Sequence, residues 1–387
     1  MLKIEKIVSL SLSLLLVVSF IVIFYFARGY RWDMRTNRIE GTGILSANST
    51  PEGAMVYIDN KPYSATNTSI GSLKPGEYTV KIQKQGYSSW QKEISIKKEL
   101  ITEVEALLTR IYPELKPLTF TGAQKPLLSP DKQKIVFSAS INGDTSLWLL
   151  EIVERPFNIA SNARQILTNT EDTMYTEATL TWSPDSKELL LTLDQISLLL
   201  NTITKSTQEV ENPQETKQKW QKEIDIEENK LLQNLSSDLV KKINGLEHKE
   251  WSPDRNFILY QETNEQQTIF KIINFSPDKL VSPTQKSPSP APEYTEKTIY
   301  STPQTTLTKL VWYPDSKHLI VLEKDNPEAT RGKLSLIEAD GENKCEFFSG
   351  IIKDNHIFPF SSGTKAAILT TFNPESEEYN LYSVSLR

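Results

Sequence analysis

The stretch Trp182–Leu193, WSPDSKELLLTL, places a polar tetrad between a tryptophan and an apolar run. Its serine and aspartate could belong to a reactive site, or the tetrad could form a turn. Serine at the first position of a turn can hydrogen-bond to the backbone ahead of it, proline pre-sets φ for the second position of a type I turn, and aspartate is tolerated at the third. The leucines behind the tetrad are typical of a fully buried strand. A single copy of the stretch does not decide between a site and a turn.

The tetrad recurs along the chain, and this repetition indicates architecture rather than an isolated site. Four copies each precede an apolar run, and their prolines are 54, 69 and 61 residues apart. A degenerate fifth copy is predicted at Phe360–Gly363, ahead of Ala366–Leu369. The residues that we assign to the structural repeat motif are Ser129, Pro130, Asp131, Ser183, Pro184, Asp185, Ser252, Pro253, Asp254, Pro314 and Asp315.

A second apolar run follows most copies, which indicates several short strands in each repeat. Asn142-Gly143, a strong hairpin signal, separates two such runs in the first copy. The predicted second strands are Leu147–Leu150, Ile196–Leu200, Ile269–Ile273, Leu334–Ile337 and Asn380–Val384. Units of about four strands at this spacing predict a β-propeller of about five to six blades over residues 117–387. Leu115–Phe120 is expected to pair with the last blade and close the ring.

The four clear copies resemble the WD-like repeats of TolB-type propellers, in which Ser-Pro-Asp precedes the innermost or next strand of each blade. The resemblance implies a propeller over residues 117–387. Phe275-Ser276-Pro277-Asp278 has a similar sequence, but its proline lies only 24 residues after Pro253. Because no buried strand follows it, we predict only a turn that ends a strand.

Two insertions interrupt the predicted blades. Within residues 213–245, apolar residues at helical spacing indicate one or two amphipathic helices, namely Trp220, Ile224, Leu231, Leu235 and Leu239. These helices either pack on the flank of the propeller or dock a partner. Residues 282–292, SPTQKSPSPAP, predict a proline-rich projecting loop. This loop is either a stiff solvated segment or a ligand for a partner that binds polyproline II helices.

The N-terminus predicts a membrane anchor. After a short tail, residues 1–6, the charge-free run 7–27 has 21 residues. At about 1.5 Å per residue it can cross a hydrocarbon core of roughly 30 Å. Tyr25, Tyr30 and Trp32 suit the membrane interface. A cleaved signal peptide is the alternative, but its apolar core would be shorter.

Residues 28–43 are predicted as a juxtamembrane linker, and their charge bears on orientation. They contain Arg28, Arg31, Arg35 and Arg38, whereas only two lysines precede the apolar run. The positive-inside rule therefore favours a cytoplasmic location for the bulk of the chain, although large domains translocate largely regardless of charge.

Residues 44–109 predict a small antiparallel β-sandwich. Turn residues at 59–62 and at Pro75-Gly76 separate runs of strand-forming residues. Tyr78, Val80 and Ile82 alternate with polar residues, which predicts that their side chains share one buried face.

The motifs of this segment resemble the PEGA domain. They are Pro51-Glu52-Gly53-Ala54, Val56-x-Ile58-Asp59, Leu73-x-Pro75-Gly76-x-Tyr78-x-Val80 and Gly86-Tyr87. Residues 63–68 stand where the family usually has a Gly-x-Thr-Pro-like turn. The resemblance implies a surface or envelope protein and a binding or spacing role without catalytic residues. We interpret Pro-Glu-Gly-Ala as the structural start of a strand.

Composition limits the possible chemistry. The net charge is −6, and residues 109–387 carry 30 Lys/Arg against 39 Asp/Glu, so nucleic-acid binding, which needs clustered cations, is not expected. The single cysteine, Cys345, excludes an internal disulfide and a Cys-based zinc site. His248, His318 and His356 are far apart, and we find no motif for nucleophilic, metal or phosphate chemistry. We therefore predict no catalytic, cofactor-binding or metal-binding residue.

These patterns predict a mainly β protein with an N-terminal transmembrane helix, a PEGA-like sandwich and a TolB-like propeller. We expect a non-enzymatic protein of the bacterial envelope that contacts the lipid bilayer through residues 7–27 and binds a protein, peptide or glycan. Both resemblances imply an envelope location, so we place the bulk of the chain outside the cytoplasm despite the arginines. The alternatives are an assembly subunit of a membrane complex, with 213–245 as its contact, and an enzyme with a site at the propeller axis.

Overall fold

The computed structural model describes residues 2–33, 38–141, 143–154, 163–194, 196–233, 235–275, 294–353, 355–373, 375 and 378–387. The chain is mainly β and divides into two compact units, Met1–Thr109 and Arg110–Arg387. Asn142, the proline-rich segment 282–292 and residues 276–278 lie outside the described residues.

The first unit begins with an apolar helix. Helix α1 (Leu2–Ala27) contains Val8–Ala27, a stretch long and apolar enough to cross a membrane, with a mean hydropathy of 2.6 and no buried residue. A two-stranded hairpin follows, formed by β1 (Tyr30–Asp33) and β2 (Arg38–Gly41). Residues 28–43, for which the sequence predicts a linker, therefore contain two paired strands.

The rest of the first unit is a sandwich of two sheets with the strand orders β6-β3-β9 and β5-β4-β7-β8. The strands are β3 (Gly43–Thr50), β4 (Met55–Ile58), β5 (Lys61–Ala65), β6 (Thr68–Leu73), β7 (Gly76–Gln83), β8 (Trp90–Ile96) and β9 (Ile101–Leu107). Val80 and Ile82 are buried between the sheets and Tyr78 packs against the same core, as their alternation with polar residues predicts.

One strand pair departs from the predicted antiparallel sandwich. β3 and β9 pair in parallel, from Ile44 opposite Ile101 to Thr50 opposite Leu107. A parallel pair requires a crossover connection instead of a hairpin. The chain makes this crossover because it passes through the other sheet between these two strands.

The described residues of the second unit form five four-stranded antiparallel sheets. The first to fourth sheets each take four consecutive strands, and β10 completes the fifth sheet, which has the order β10-β29-β28-β27. In chain order, the strands are β10 (Leu115–Pro117); β11 (Gln124–Leu128), β12 (Lys134–Ile141), β13 (Asp144–Glu151) and β14 (Arg164–Thr168); β15 (Thr179–Trp182), β16 (Glu188–Thr192), β17 (Ser197–Asn201) and β18 (Thr207–Glu209); β19 (Glu250–Trp251), β20 (Phe257–Thr263), β21 (Gln267–Asn274) and β22 (Thr295–Pro303); β23 (Leu307–Trp312), β24 (His318–Lys324), β25 (Arg331–Glu338) and β26 (Cys345–Ile351); and β27 (Ile357–Pro359), β28 (Lys365–Thr370) and β29 (Asn380–Ser385).

The predicted strands correspond to the observed ones. Each apolar run behind a tetrad is the second strand of a sheet, and each further run that we predicted overlaps the third strand. Leu115–Pro117 pairs with β29, from Leu115 opposite Val384 to Pro117 opposite Tyr382, so the predicted pairing of this segment is confirmed. None of the described sheets closes on itself.

Apolar clusters join neighbouring sheets. One cluster contains Phe137 of the first sheet and Leu369 of the fifth, and a second contains Leu149 of the first sheet and Leu191 of the second. A third cluster contains Phe270 of the third sheet and Trp312 of the fourth. The second strand of each sheet contains a run of at least three consecutive buried residues, which explains the unbroken apolar runs in the sequence.

The insertion 213–245 forms two helices, α2 (Pro213–Leu232) and α3 (Ser237–Asn244), in agreement with the helical spacing of its apolar residues. Asn212 caps α2 by accepting a hydrogen bond from the backbone of Glu215 at 3.2 Å. Leu232, Leu239 and Ile243 are buried in a cluster with Ile258 and Tyr260 of β20. Ile224, a member of the apolar stripe, is 47% exposed and so does not pack on the protein along its whole surface.

Candidate binding site

The tetrads form the turns between the first and second strands of their sheets. Ser183 Oγ donates a hydrogen bond of 2.7 Å to Asp185 Oδ1 and accepts one of 2.9 Å from the backbone N–H of Glu188. Asp185 Oδ1 also accepts from the N–H of Lys187 at 3.2 Å. The hydrogen bond from Ser183 is the main reason why the pKa of Asp185 lies below its ordinary value.

The same turn geometry appears in all five copies. The backbone N–H of the last residue of each turn donates to the carbonyl of the first, and that last residue has a positive φ. These positive-φ residues are Lys132 (57°), Ser186 (59°), Arg255 (62°), Ser316 (60°) and Gly363 (68°). The degenerate copy at residues 360–363 therefore has the same backbone turn as the clear copies, with a glycine at the position that favours it.

The fourth copy lacks the serine, and a histidine takes over part of its role. Asp315 Oδ2 lies 2.7 Å from His318 Nδ1, and Asp315 Oδ1 accepts from the backbone N–H of His318 at 3.0 Å. Burial raises the pKa of Asp315, but the hydrogen bonds and charge of His318 and the Lys317 amide outweigh it and hold that pKa below its ordinary value. His318 is buried in this turn.

The turns of neighbouring sheets bind one another. The backbone N–H of Asp131 donates to Ser186 Oγ at 2.9 Å, and the N–H of Asp254 donates to Ser316 Oγ at 3.0 Å. The Tyr313 hydroxyl donates to the carbonyl of Gly363. The structure thus brings the repeat residues together with each other, as contacts between sheets, rather than around an open cavity.

A polar cavity of about 600 Å³ lies elsewhere on the fourth sheet. Its wall includes Asp325 and Arg331, which flank the hairpin between β24 and β25. Antiparallel strands reverse at each turn, so this hairpin and the tetrad turn at Pro314 lie at opposite ends of the sheet. The other lining residues are Thr306, Glu323, Lys324, Gly332, Lys333, Ser335, Lys344, Glu346 and Ser349.

Lys324 is the buried cation of this region. It is 5% exposed, and its Nζ donates a hydrogen bond of 2.6 Å to the carbonyl oxygen of Ile352. It also lines a smaller cavity of about 220 Å³ together with Glu328, Lys353 and Tyr379. A buried lysine needs such hydrogen bonds because an unpaired charge is costly to remove from water.

A cluster of three side chains borders the larger cavity. Lys344 Nζ lies 2.7 Å from Tyr300 Oη and 2.5 Å from Glu323 Oε2, and the Tyr300 hydroxyl also donates to Glu323 Oε1. Burial and the nearby carboxylate raise the pKa of Tyr300 above its ordinary value. Burial also raises the pKa of Glu323, but hydrogen bonds from Lys344 and Tyr300 outweigh this effect and lower it.

The cavity can bind a polar ligand through both donors and acceptors. The cations of Arg331, Lys333 and Lys344 line it together with the carboxylates of Asp325 and Glu346. A peptide or a glycan carries donors and acceptors that match such a mixed lining. A polyanion such as nucleic acid would be repelled by the carboxylates. Sequence reasoning missed this region; its only signal was Lys324, a charged residue at an inward position of a buried strand.

Three carboxylates could hold a cation on the turn after β25. The ligand oxygens of Glu338, Asp340 and Glu342 lie within 4.8 Å of one another. Glu338 is buried and accepts a hydrogen bond of 3.1 Å from Asn343, while Glu342 is exposed. Clustered acidic groups are common on exposed turns without an ion, so this group does not change the function that the cavity supports.

Cys345 lies at the start of β26, and His356 lies just before β27. Cys345 is half-buried. His356 stacks on Phe358 with ring centroids 5.6 Å apart.

Comparison with solved structures gives weak similarities. An oligogalacturonate lyase in complex with manganese is 8% identical with a TM-score of 0.28, and the match covers 71% of this chain and 93% of that chain. TolB from Acinetobacter baumannii is 10% identical with a TM-score of 0.24, covering 80% of this chain and 59% of that one. A putative TolB from Agrobacterium tumefaciens is 11% identical with a TM-score of 0.23, covering 78% and 90%. Similarities of this size establish neither a shared fold nor a shared function.

Comparison with protein families gives a match for part of the first unit. No curated protein matches the chain. The family model described as the PEGA domain matches residues 42–111, which include all seven strands of the sandwich. This segment of the chain is therefore similar to PEGA domains, as its motifs predict.

Proposed function

We propose that the protein is a single-pass membrane protein whose bulk lies outside the cytoplasm and which binds a protein, peptide or glycan of the envelope without converting it. The observation that carries this proposal is the helix Val8–Ala27, apolar along its length and exposed on all sides, followed in the same unit by a segment that matches the PEGA domain. PEGA domains are extracytoplasmic. The apolar surface of α1 is best matched by a bilayer.

We infer that the five sheets of the second unit are the blades of a propeller. Three observations support this arrangement: each sheet has four strands, apolar clusters join neighbouring sheets, and turns at one end of the sheets bond to one another. β10 adds the start of the unit to the sheet at its end. Such a strand would close a ring of blades and remove the exposed edges between first and last blade.

The cavity on the fourth sheet is the binding site that we assign to this framework. It is lined by side chains of both charges, and it lies away from the tetrad turns that join the sheets. The Tyr300–Glu323–Lys344 cluster keeps its rim in place through mutual hydrogen bonds. Sites held by packed strands position polar groups more accurately than sites on loops.

The location is tested with single cysteines in the full chain carrying Cys345→Ser. Ile203→Cys places a thiol on the second unit at a residue that is 63% exposed, and Lys3→Cys places one before the candidate span Val8–Ala27. In intact cells, a membrane-impermeant maleimide is expected to label position 203 and to reach position 3 only after lysis. Labelling of position 3 alone would place the bulk of the chain in the cytoplasm and contradict the proposal.

Binding is tested with a photoreactive amino acid at Ser349, an exposed residue of the cavity wall, and at Gln208, an exposed residue of the second sheet. Irradiated cells are expected to give adducts at position 349 and not at position 208, with fewer adducts when Lys344→Met is also present. Equal adduct yields at the two positions would contradict a binding role for the cavity.

A second candidate function is that of an assembly subunit in a membrane complex. The observation that favours it is the middle of α2, where residues 221–227 are all exposed, including Ile224 at 47% and Ile226 at 56%. A helix segment exposed all round with two large apolar side chains is typical of a contact for another protein. A photoreactive residue at position 224 that yields no adduct in intact membranes would contradict this role.

A further inference from the structure

The hairpin behind the apolar helix has an apolar surface. Trp32 of β1 and Ile39 of β2 are directly opposite each other and are 60% and 58% exposed. Directly opposite residues of an antiparallel pair project from the same face. Two large apolar side chains therefore stand together on one side of the hairpin, next in the chain to a helix that is itself apolar and exposed.

The hairpin is held close to the end of α1. Gly29 makes the turn with φ of +86°, and its carbonyl oxygen accepts hydrogen bonds from the backbone N–H and the hydroxyl of Thr42. The rings of Tyr25 on the helix and Tyr30 on β1 meet edge to face with their centroids 5.2 Å apart. The base of the hairpin thus lies at the helix end.

The hairpin is also fixed to the sandwich, at the turn between β8 and β9. The Tyr30 hydroxyl donates a hydrogen bond of 2.7 Å to Glu99 Oε1. The Lys98 ammonium lies 4.7 Å from the centre of the Tyr30 ring, and its side chain crosses Gly41 so closely that a Cβ at Gly41 would collide with it. The helix end, the hairpin and this turn therefore form one connected surface.

Two cations on this surface are available to a ligand. The side chains of Arg28 and Lys98 are 57% and 50% exposed, and their nitrogens lie 3.8 and 3.9 Å from the carboxylate of Glu99. Ion pairs this long and this exposed are weak, so a phosphate can compete for either cation. Arg31 differs, because its guanidinium donates hydrogen bonds to the carbonyl oxygens of Phe26 at 2.8 Å and Tyr30 at 3.0 Å.

We propose that this surface, formed by β1, β2, Arg28 and Lys98 and here named the interfacial hairpin, binds the bilayer surface and prefers lipids with anionic headgroups. The inference rests on the proposed membrane anchor. Trp32 and Ile39 enter the boundary between headgroups and acyl chains, while Arg28 and Lys98 bind lipid phosphates. An exposed aromatic and aliphatic pair flanked by cations, continuous with a spanning helix, matches this interface in both polarity and charge. The interfacial hairpin thereby holds the PEGA-like sandwich against the membrane.

The test uses the full chain with Cys345→Ser, reconstituted in vesicles and labelled with an environment-sensitive fluorophore at one new cysteine. Ile39→Cys reports the interfacial hairpin, and Tyr63→Cys is the control, because it is also exposed but lies on β5, at the opposite sheet edge from β8. Lipids that carry a nitroxide near the headgroup are expected to quench the label at position 39 at least about two-fold more than the label at position 63. Leu14→Cys, quenched by a nitroxide deep in the acyl chains, reports whether the helix is inserted.

The headgroup preference is tested by adding phosphatidylglycerol to phosphatidylcholine vesicles. Quenching at position 39 is expected to rise with the anionic lipid, and the rise is expected to disappear in Arg28→Gln with Lys98→Gln but not in the matched control Lys61→Gln with Lys92→Gln. Equal weak quenching at positions 39 and 63, with the label at position 14 quenched, would overturn the interfacial hairpin and leave the anchor standing. An unquenched label at position 14 would overturn both. A rise that persists without Arg28 and Lys98 would overturn the phosphate contacts.

Discussion

Ser183 and Asp185 are hydrogen-bonded to each other inside one turn. The Ser183 hydroxyl donates to Asp185 Oδ1 at 2.7 Å, and both side chains accept hydrogen bonds from the backbone that follows. Ser183 is 3% exposed. A serine hydroxyl that is buried inside a closed turn and both donates and accepts a hydrogen bond there is placed to stabilise the chain rather than to attack a substrate.

The first prediction concerns this pair. Ser183→Ala and Asp185→Asn are each expected to lower the free energy of unfolding by about 1 kcal/mol, because each removes a hydrogen bond of the turn. The double variant should lose less than the sum, since the two residues share one bond. Chemical denaturation measures the stabilities. Photo-crosslinking at Ser349 should be unchanged, and loss of adducts in a variant that remains folded would contradict the structural role.

The second prediction is a loss of stability in acid. The pKa of Asp185 is lowered chiefly by its bond from Ser183, and that of Asp254 is lowered because bonds from Asn256 and Ser252 outweigh the effect of burial. A carboxyl with a lower pKa in the folded state stabilises the protein above its ordinary pKa of 3.8, and this stability is lost as the pH falls through the folded value. The melting temperature should therefore fall below about pH 4, and it should fall less steeply in Asp185→Asn. An identical acid profile for that variant would contradict the assignment.

The third prediction concerns the contact between turns. Ser186 is fully buried and its Oγ accepts a hydrogen bond of 2.9 Å from the backbone N–H of Asp131 in the neighbouring sheet. Ser186→Ala is expected to cost about 1–3 kcal/mol, because it leaves that N–H without its acceptor. Ser140→Ala, an exposed position on β12, should change stability by less than about 0.5 kcal/mol. If urea denaturation gives the same loss of unfolding free energy for both variants, the contact between the sheets does not contribute to stability.

The fourth prediction concerns Lys324. Lys324→Met keeps much of the side-chain volume but removes the donor to the Ile352 carbonyl oxygen at 2.6 Å. The variant is expected to be less stable by about 1–3 kcal/mol, whereas Lys309→Met, at an exposed position of β23, should be nearly neutral. A fully stable Lys324→Met that also retains crosslinking at Ser349 would exclude a part for this lysine in both the fold and the site.

The fifth prediction separates the middle of α2 from its C-terminal end. Leu232→Ala is expected to cost about 2–4 kcal/mol, because Leu232 is 3% exposed in the cluster on β20. Ile224→Glu should alter stability by no more than about 0.5 kcal/mol, because the residue is exposed. If α2 docks another membrane protein, Ile224→Glu should also reduce its co-purification from membranes. Destabilisation by Ile224→Glu as large as that by Leu232→Ala would mean that this part of the helix packs on the protein itself.

The strands of the second unit were predictable because each is short, apolar and introduced by a recurring turn. Leu189, Leu190 and Leu191 are all fully buried, and a strand buried on both faces shows an unbroken apolar run. The parallel pairing of β3 with β9 was not predictable, because the order of strands in a sheet depends on contacts between distant segments. Ile224 illustrates a third case, since helical spacing indicates a face but not whether anything covers it.

The sequence by itself determined the apolar span of residues 7–27, the PEGA-like motifs and the recurring turns, because each follows from local composition and short-range spacing. Only the tertiary structure decided that Ser186 accepts a bond from Asp131, that Trp32 stands beside Ile39, and that Lys324 lies against Ile352. The second of these contacts supports the proposed interfacial hairpin, and the third holds Lys324, which lines the proposed cavity site. They join residues that are separated in the chain, and chain folding rather than local pattern sets which such residues meet.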